Sequence, residues 1–224
     1  MTHEDSLARS LEWDSYTWSR SVRYWLSSYT APSHGGRILE VGSGSGRLSR
    51  WFQLQGYEVV GSDVDWNRVS RAVDCGFPYL ACSMLQLPIV SSTIDIVVVR
   101  SVLGSVRAVT GPDGLQQAFD EVGRVLKPGG ALFYAENIRG SRLHMMARRN
   151  FTEWGKRWFY FEPGVLKSYV GWSSEVHSRL FGGLSLFGPN EAIRRGLGRV
   201  DRLYDRHVQT SSWSHVEAGV VVKL

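Results

Sequence analysis

Ile38-Leu39-Glu40-Val41-Gly42-Ser43-Gly44-Ser45-Gly46 is an apolar strand that runs into three glycines spaced by single residues. Glycine lets a chain turn with positive φ, and it lets a ligand approach bare backbone where a Cβ would obstruct it. A dinucleotide loop wants a third glycine three places after the second, but position 47 is Arg47. Glu40, two residues before the first glycine, repels a phosphate and attracts a cation. The loop therefore selects for a ligand that carries positive charge and no phosphate. The alternative reading of the glycines is simple turn geometry.

The following residues extend the pattern. Tyr57-Glu58-Val59-Val60-Gly61-Ser62 is a second strand ending at Asp63, about 20 residues after the loop, where a ribose-binding carboxylate belongs in a βαβ unit. Leu87-Pro88 and then Ile94-Asp95-Ile96-Val97-Val98-Val99 mark a further buried strand. Phe119 to Leu126 reads as a helix, Lys127-Pro128-Gly129-Gly130 as its stop, and Ala131-Leu132 as the start of another strand. Near-continuously apolar strands separated by helices imply a parallel sheet covered on both faces. The expected elements are strands over 37–41, 57–62, 77–81, 94–99 and 131–136, a long strand over 175–187 and a closing strand over 216–224, with helices over 47–55, 66–75 and 113–126.

In this order the motifs resemble the class I S-adenosylmethionine-dependent methyltransferase family, over residues 36–137 in motifs and over the whole chain in layout. The resemblance implies an α/β, Rossmann-like, seven-stranded and mostly parallel sheet. Its last strand is antiparallel, helices cover both faces, and a lid insert follows the fifth strand. One domain, 1–224, then divides into an N-terminal helical cap (1–35), a cofactor-binding half (36–137), the lid (138–162) and the rest of the sheet (163–224). S-adenosylmethionine is the implied cofactor, and its sulfonium and ammonium suit the acid before the loop.

Carried over residue by residue, Gly42, Ser43, Gly44 and Gly46 match the loop against the methionine part of the cofactor. Glu40 matches the acid that orients that end. Asp63 matches the ribose acceptor, with Val64 beside it; its competing reading is a helix N-cap, for which Asp65 is better placed. The family often holds the adenine amino group with an acid after the third strand. Here that position is Ser83, a weaker acceptor, with the backbone of Met84 next to it. Arg100 ends the fourth strand at the same crevice. The Asn/Asp-Pro-Pro-aromatic turn of exocyclic amino methyltransferases is missing from Arg100-Ser101-Val102-Leu103. Cys82 lacks the proline context of a C5-cytosine nucleophile, and Gly104 and Ser105 stand where a histidine is often found.

A general base is expected from Glu136, at the carboxyl end of the fifth strand, or from His144. Their competing readings are structural hydrogen bonding and core packing. Tyr16, Trp154 and Trp158 are the aromatic candidates for the acceptor pocket, and the apolar stripe Leu143, Met146, Ala147, Phe151, Trp154, Trp158, Phe161 predicts one buried helical face. Leu7, Leu11, Trp18, Val22, Trp25 and Tyr29 predict a helical stripe in the cap.

With 224 residues, 43% of them hydrophobic, the chain can bury one large core without disulfides or metal. Cys75 and Cys82 have no metal-ligand spacing, and the acidic start precedes no apolar leader, so a cytoplasmic protein without an integral membrane segment is expected. The net charge of +5 is local: Arg139, Arg142, Arg148, Arg149, Lys156 and Arg157 face the single acid Glu153. Arginine forks beside aromatics suggest a small anionic or aromatic acceptor. The alternatives are an RNA or nucleotide substrate on the 139–157 patch, a methyltransferase-like protein catalysing a reaction such as cyclisation, or a membrane-surface role for that patch. Oligomeric state is not specified by the sequence.

Overall fold

The computed structural model describes residues 15–30, 36–72, 76–151, 154–207 and 212–224. Leu7, Leu11, Cys75 and Glu153 lie outside them. Helix α1 (Ser15–Ser28) precedes β1 (Arg37–Val41), α2 (Arg47–Leu54), β2 (Glu58–Asp63), α3 (Trp66–Ala72) and β3 (Tyr79–Ala81). Next come β4 (Ile94–Arg100), α4 (Leu103–Val125), β5 (Leu126–Asn137) and α5 (Arg142–Phe151). Strand β6 (Ser173–Phe181), α6 (Glu191–His207) and β7 (Val216–Lys223) complete the chain.

The seven strands lie in the order β3-β2-β1-β4-β5-β7-β6. Strands β1 to β5 pair in parallel, and β7 inserts between β5 and β6 antiparallel to both, as the resemblance implies. The β5 side chains alternate between two cores. On one face Leu132 and Tyr134 pack with Phe119, Val122 and Phe161; on the other Phe133 and Ala135 pack with Trp18, Val22, Trp25 and Trp51. Trp18, Val22 and Trp25 follow helical spacing, so α1 closes the second face. Among the described residues no helix is long and apolar enough to cross a membrane.

Three elements depart from the sequence expectation. Helix α4 begins at Leu103, ten residues before the expected start, and changes direction at Gly111 (φ 76°, ψ −172°) ahead of Pro112. The long strand expected over 175–187 stops at Phe181, because Gly182 turns with φ 73° into a 3₁₀ turn at Leu184–Phe187. The lid's apolar stripe is buried only in part. Helix α5 ends at Phe151; Ala147 of the stripe is buried, but Leu143 and Met146 are 52% and 54% exposed, and the polar His144 and Arg148 are buried in their place. Phe161 enters the core, where the chain bridges to Ile138.

Candidate active site

The carboxyl ends of β1, β2 and β4 open onto a crevice of about 290 Å³. Gly42, Asp63, Val64, Ser83 and Met84 line it, as do Ser101, Val102, Ser105 and Trp158. Gly42 has φ +68°, and a Cβ there would lie 2.3 Å from Val102 Cγ2. Only glycine therefore fits between strand and crevice.

The loop is braced from behind. Ser43 donates its N–H and its hydroxyl to the Ser62 carbonyl at 2.8 and 3.0 Å. The Gly44 N–H donates to Asp63 Oδ2 at 3.0 Å, and the Tyr79 hydroxyl donates to the Gly44 carbonyl at 2.7 Å. Tyr79 reaches the loop because Gly61 has no side chain: a Cβ at that position would meet the Tyr79 ring at 2.7 Å. Sequence reasoning missed Tyr79, although a lone glycine inside a strand is a signal of close approach.

Asp63 is 4% exposed, and its Oδ1 accepts from the Asp65 N–H at 3.0 Å. Each oxygen thus accepts one backbone N–H, and a carboxylate oxygen has capacity for a second donor. Asp65 caps α3, accepting from the Asn67 N–H. Arg68, also missed from sequence, lies 3.6 Å from Asp63 Oδ2 at the rim.

Glu40 sits behind the loop, 1% exposed, accepting the Ser49 hydroxyl at 2.5 Å. Burial pushes its carboxyl up to about 7, against the pull of Ser49 and of the Arg100 guanidinium. A buried acid poised near neutrality suits a cationic group arriving in front of it. Arg100 itself lies over the Trp18 ring, 5.6 Å from its centroid. Of the residues expected at the cofactor, Glu40, Ser43, Gly44, Gly46 and Arg100 do not line the crevice, whereas Ser83 does and accepts the Leu85 N–H at 3.2 Å.

Glu136 does not stand free as a base. It is fully buried, and its Oε2 accepts from the N–H groups of Val102 (2.9 Å) and Gly104 (3.3 Å). Its Oε1 accepts from the Asn137 N–H (2.8 Å) and from Trp158 Nε1 (3.2 Å). Four donors use the capacity of a carboxylate, which leaves no lone pair for an acceptor's proton. Burial raises its pKa while these donors oppose the shift. Glu136 caps the start of α4 from another strand and holds Trp158 in place. Gly104 permits this docking, since a Cβ there would lie 2.0 Å from Trp158 Nε1.

His144 is also placed elsewhere. Its ring is buried, stacked on Phe187 at 5.0 Å, with Nε2 2.8 Å from the Gly183 carbonyl. Nδ1 lies 3.0 Å from the Ser141 N–H, so Nδ1 accepts and Nε2–H donates. Burial, with His215 and Arg148 adding repulsion, lowers its pKa to about 4. Tyr16 packs over Gly198 of α6 and lines neither the crevice nor the neighbouring cavity. Trp154 begins a 3₁₀ turn, Trp154–Lys156, and its side chain lies outside the described structure. Of the three aromatic candidates, Trp158 reaches the crevice.

A strand-loop-helix glycine turn, an acid behind it and an acid ending the second strand, on this sheet order, give the chain the fold of class I S-adenosylmethionine-dependent methyltransferases. A methyltransferase-domain family matches residues 39–134, the part of the chain that builds this crevice. A malonyl-[acyl-carrier protein] O-methyltransferase of Pectobacterium atrosepticum is 31% identical over 116 residues, 49% of this chain and 42% of that protein. The match thus spans less than half of that relative. By structure, a methyltransferase of Archaeoglobus fulgidus superposes with TM-score 0.65 at 15% identity, covering 92% of each chain. Haemonchus contortus phosphoethanolamine N-methyltransferase 2, in complex with S-adenosyl-L-methionine, gives 0.63 at 16% identity, over 92% of this chain and 52% of that one.

Bound there, the cofactor supplies an activated methyl group on a sulfonium. Asp63 would hold its ribose, Gly42 would give it room, and Glu40 would answer the charge of its methionine end.

Proposed function

We propose that this chain transfers the methyl group of S-adenosylmethionine to a small organic acceptor that carries an anionic or aromatic group. The observation carrying this reading is Trp158, which lines both the cofactor crevice and a second cavity of about 780 Å³. That cavity lies between α5 and residues 158–162. Arg142 and Arg149 meet Met145, Phe159 and Tyr160 there, so carboxylate- or phosphate-binding forks stand beside aromatic and thioether surface. Among the described residues, no carboxylate pairs with Arg142 or Arg149.

Methyl transfer requires alignment and exclusion of water more than side-chain chemistry. Trp158 covers the crevice, Glu136 fixes Trp158, and an acceptor already ionised at neutral pH needs no base. The curated relative is named for a malonyl acceptor, which bears a carboxylate, in keeping with this reading. The RNA reading loses support because Arg148 is fully buried and Arg139 pairs with Glu162 at 2.7 Å. Of the remaining cations, Arg142 and Arg149 line the cavity, and Lys156 and Arg157 do not.

The test is S-adenosylhomocysteine formation with a panel of carboxylic, phosphorylated, neutral and RNA acceptors. Turnover confined to anionic small molecules is expected. Turnover of RNA alone, or consumption of a substrate with no demethylated cofactor, would refute the proposal.

A further inference from the structure

Helix α6 turns its carboxylates inward and its apolar side chains outward, the reverse of a helix on a solvated surface. Asp201 accepts from the N–H groups of Gly183, Leu184 and Ser185 at 3.0, 2.8 and 2.9 Å. Asp205 accepts from the Gly182 N–H at 3.2 Å and from Arg20 at 2.6 Å. Both acids are buried, and Gly198 lies against Tyr16, whose ring a Cβ would meet at 2.7 Å. Positions 198, 201 and 205 are three and four apart, so they share one face.

The opposite face is apolar and open. Ala192, Ile193, Gly196, Val200 and Leu203 are exposed, with Ile193, Val200 and Leu203 at 45%, 51% and 64%. At about 100° of turn per residue they fall on the arc that points away from the buried face. Arg195, Arg199 and Arg202 are exposed as well and, spaced four and three apart, line one flank of that arc. Among the described residues none of these three arginines is ion-paired. From Ala192 to Leu203 the exposed positions hold arginine, apolar residues and glycine but no acid, and Glu191 is half-buried in the first turn. The face shares no residue with the cofactor crevice or the acceptor cavity.

We propose that α6 docks this chain onto the surface of an anionic lipid bilayer. The helix lies in the plane of the interface, its apolar arc toward the acyl boundary and its arginine row among the headgroups. Polar contacts already fasten its inner side to the protein, which leaves the apolar side free for lipid. In such helices the burial of apolar side chains and the attraction to anionic lipid act together, each arginine near the surface strengthening binding about fivefold. A second copy of the chain suits the face less well, because it brings three more arginines and no exposed acid to answer them. A nucleic acid would meet the arginines but leave the apolar arc in water.

The experiment is co-sedimentation of the whole chain with vesicles of phosphatidylcholine alone and with vesicles in which a third of the lipid is phosphatidylglycerol. The chain should pellet with the anionic vesicles, stay in solution with the neutral ones, and be released as salt is raised. The double variants Arg199→Gln with Arg202→Gln, and Val200→Ser with Leu203→Ser, should each weaken vesicle binding about tenfold or more. Both change exposed positions, so melting temperature and S-adenosylhomocysteine affinity should match the parent. The inference falls if anionic vesicles pellet no protein, if neutral vesicles pellet it equally, or if both variants pellet like the parent. It falls equally if, without vesicle binding, the chain forms a dimer that Val200→Ser with Leu203→Ser disrupts, or binds a short RNA through Arg199 and Arg202. Cofactor affinity is read separately, so failure here is distinguishable from failure of the methyltransferase reading.

Discussion

Trp158 donates its indole N–H to Glu136 across 3.2 Å, and this bond joins the end of β5 to the cover of the cofactor crevice. The same carboxylate caps α4, so two jobs depend on one buried side chain. Glu136→Gln turns an amide NH₂ toward N–H donors and should cost about 1–3 kcal/mol by chemical denaturation. Activity should fall in proportion to the folded fraction and should keep its pH profile. A fully folded variant with abolished turnover would restore Glu136 as a base.

Trp158→Phe keeps the ring and deletes the donor. Stability should drop by about 1 kcal/mol. S-adenosylhomocysteine affinity should be nearly unchanged while KM for the acceptor rises. An equal loss of cofactor affinity would show that Trp158 belongs to the cofactor site alone.

Asp63→Ala should weaken cofactor binding at least tenfold, about 1.4 kcal/mol, because the ribose loses a charge-assisted acceptor. The Gly44 N–H also loses its partner, so melting temperature should be followed alongside calorimetry. Unchanged affinity would disprove the ribose assignment.

Glu40 makes cofactor binding sensitive to pH. With its carboxyl pushed up to about 7, the folded protein without ligand holds a proton that the unfolded chain releases near 4.5. Stability from this group is full below 4.5 and is lost as pH rises through about 7. A cationic ligand favours the ionised form, so its binding should release a fraction of a proton at pH 7 and tighten between about pH 6 and 8. Calorimetry in buffers of different ionisation enthalpy measures this, and Glu40→Gln should abolish it.

His144 acts with the opposite sign. Its pKa, lowered from 6.5 to about 4, means that stability is present above 6.5 and is lost as pH falls through about 4. His215, lowered to about 3 by burial and by Arg148, extends the same loss. Melting temperature followed from pH 7 to 4 should fall less steeply in His144→Gln, which keeps a donor for Gly183 and an acceptor for Ser141. Identical slopes would contradict the buried neutral imidazole.

The glycine loop, the strand-end position of Asp63 and the parallel strands were legible because each is fixed by short-range chemistry: positive φ, strand-end carboxylates, apolar runs broken by turns. The first half of α4 was not, because its N–H groups are satisfied by Glu136, more than thirty residues away in sequence. Helix α5 misled for a related reason. Its inward face is polar, with Arg148 donating to the carbonyls of Ile138 and His215 and His144 to that of Gly183, while Leu143 and Met146 stay outside. Apolar periodicity locates a buried face only when the face it meets is apolar. Tyr79 escaped notice because its role arises from a neighbouring strand's Gly61, a pairing that local sequence does not encode.

The most direct measurement is a crystal structure after soaking with S-adenosylhomocysteine. Density is predicted between Gly42, Asp63 and Met84, with the ribose on the Asp63 carboxylate and the amino-acid end toward Glu40. A crevice left empty at saturating ligand, or the ligand bound elsewhere, would contradict the account.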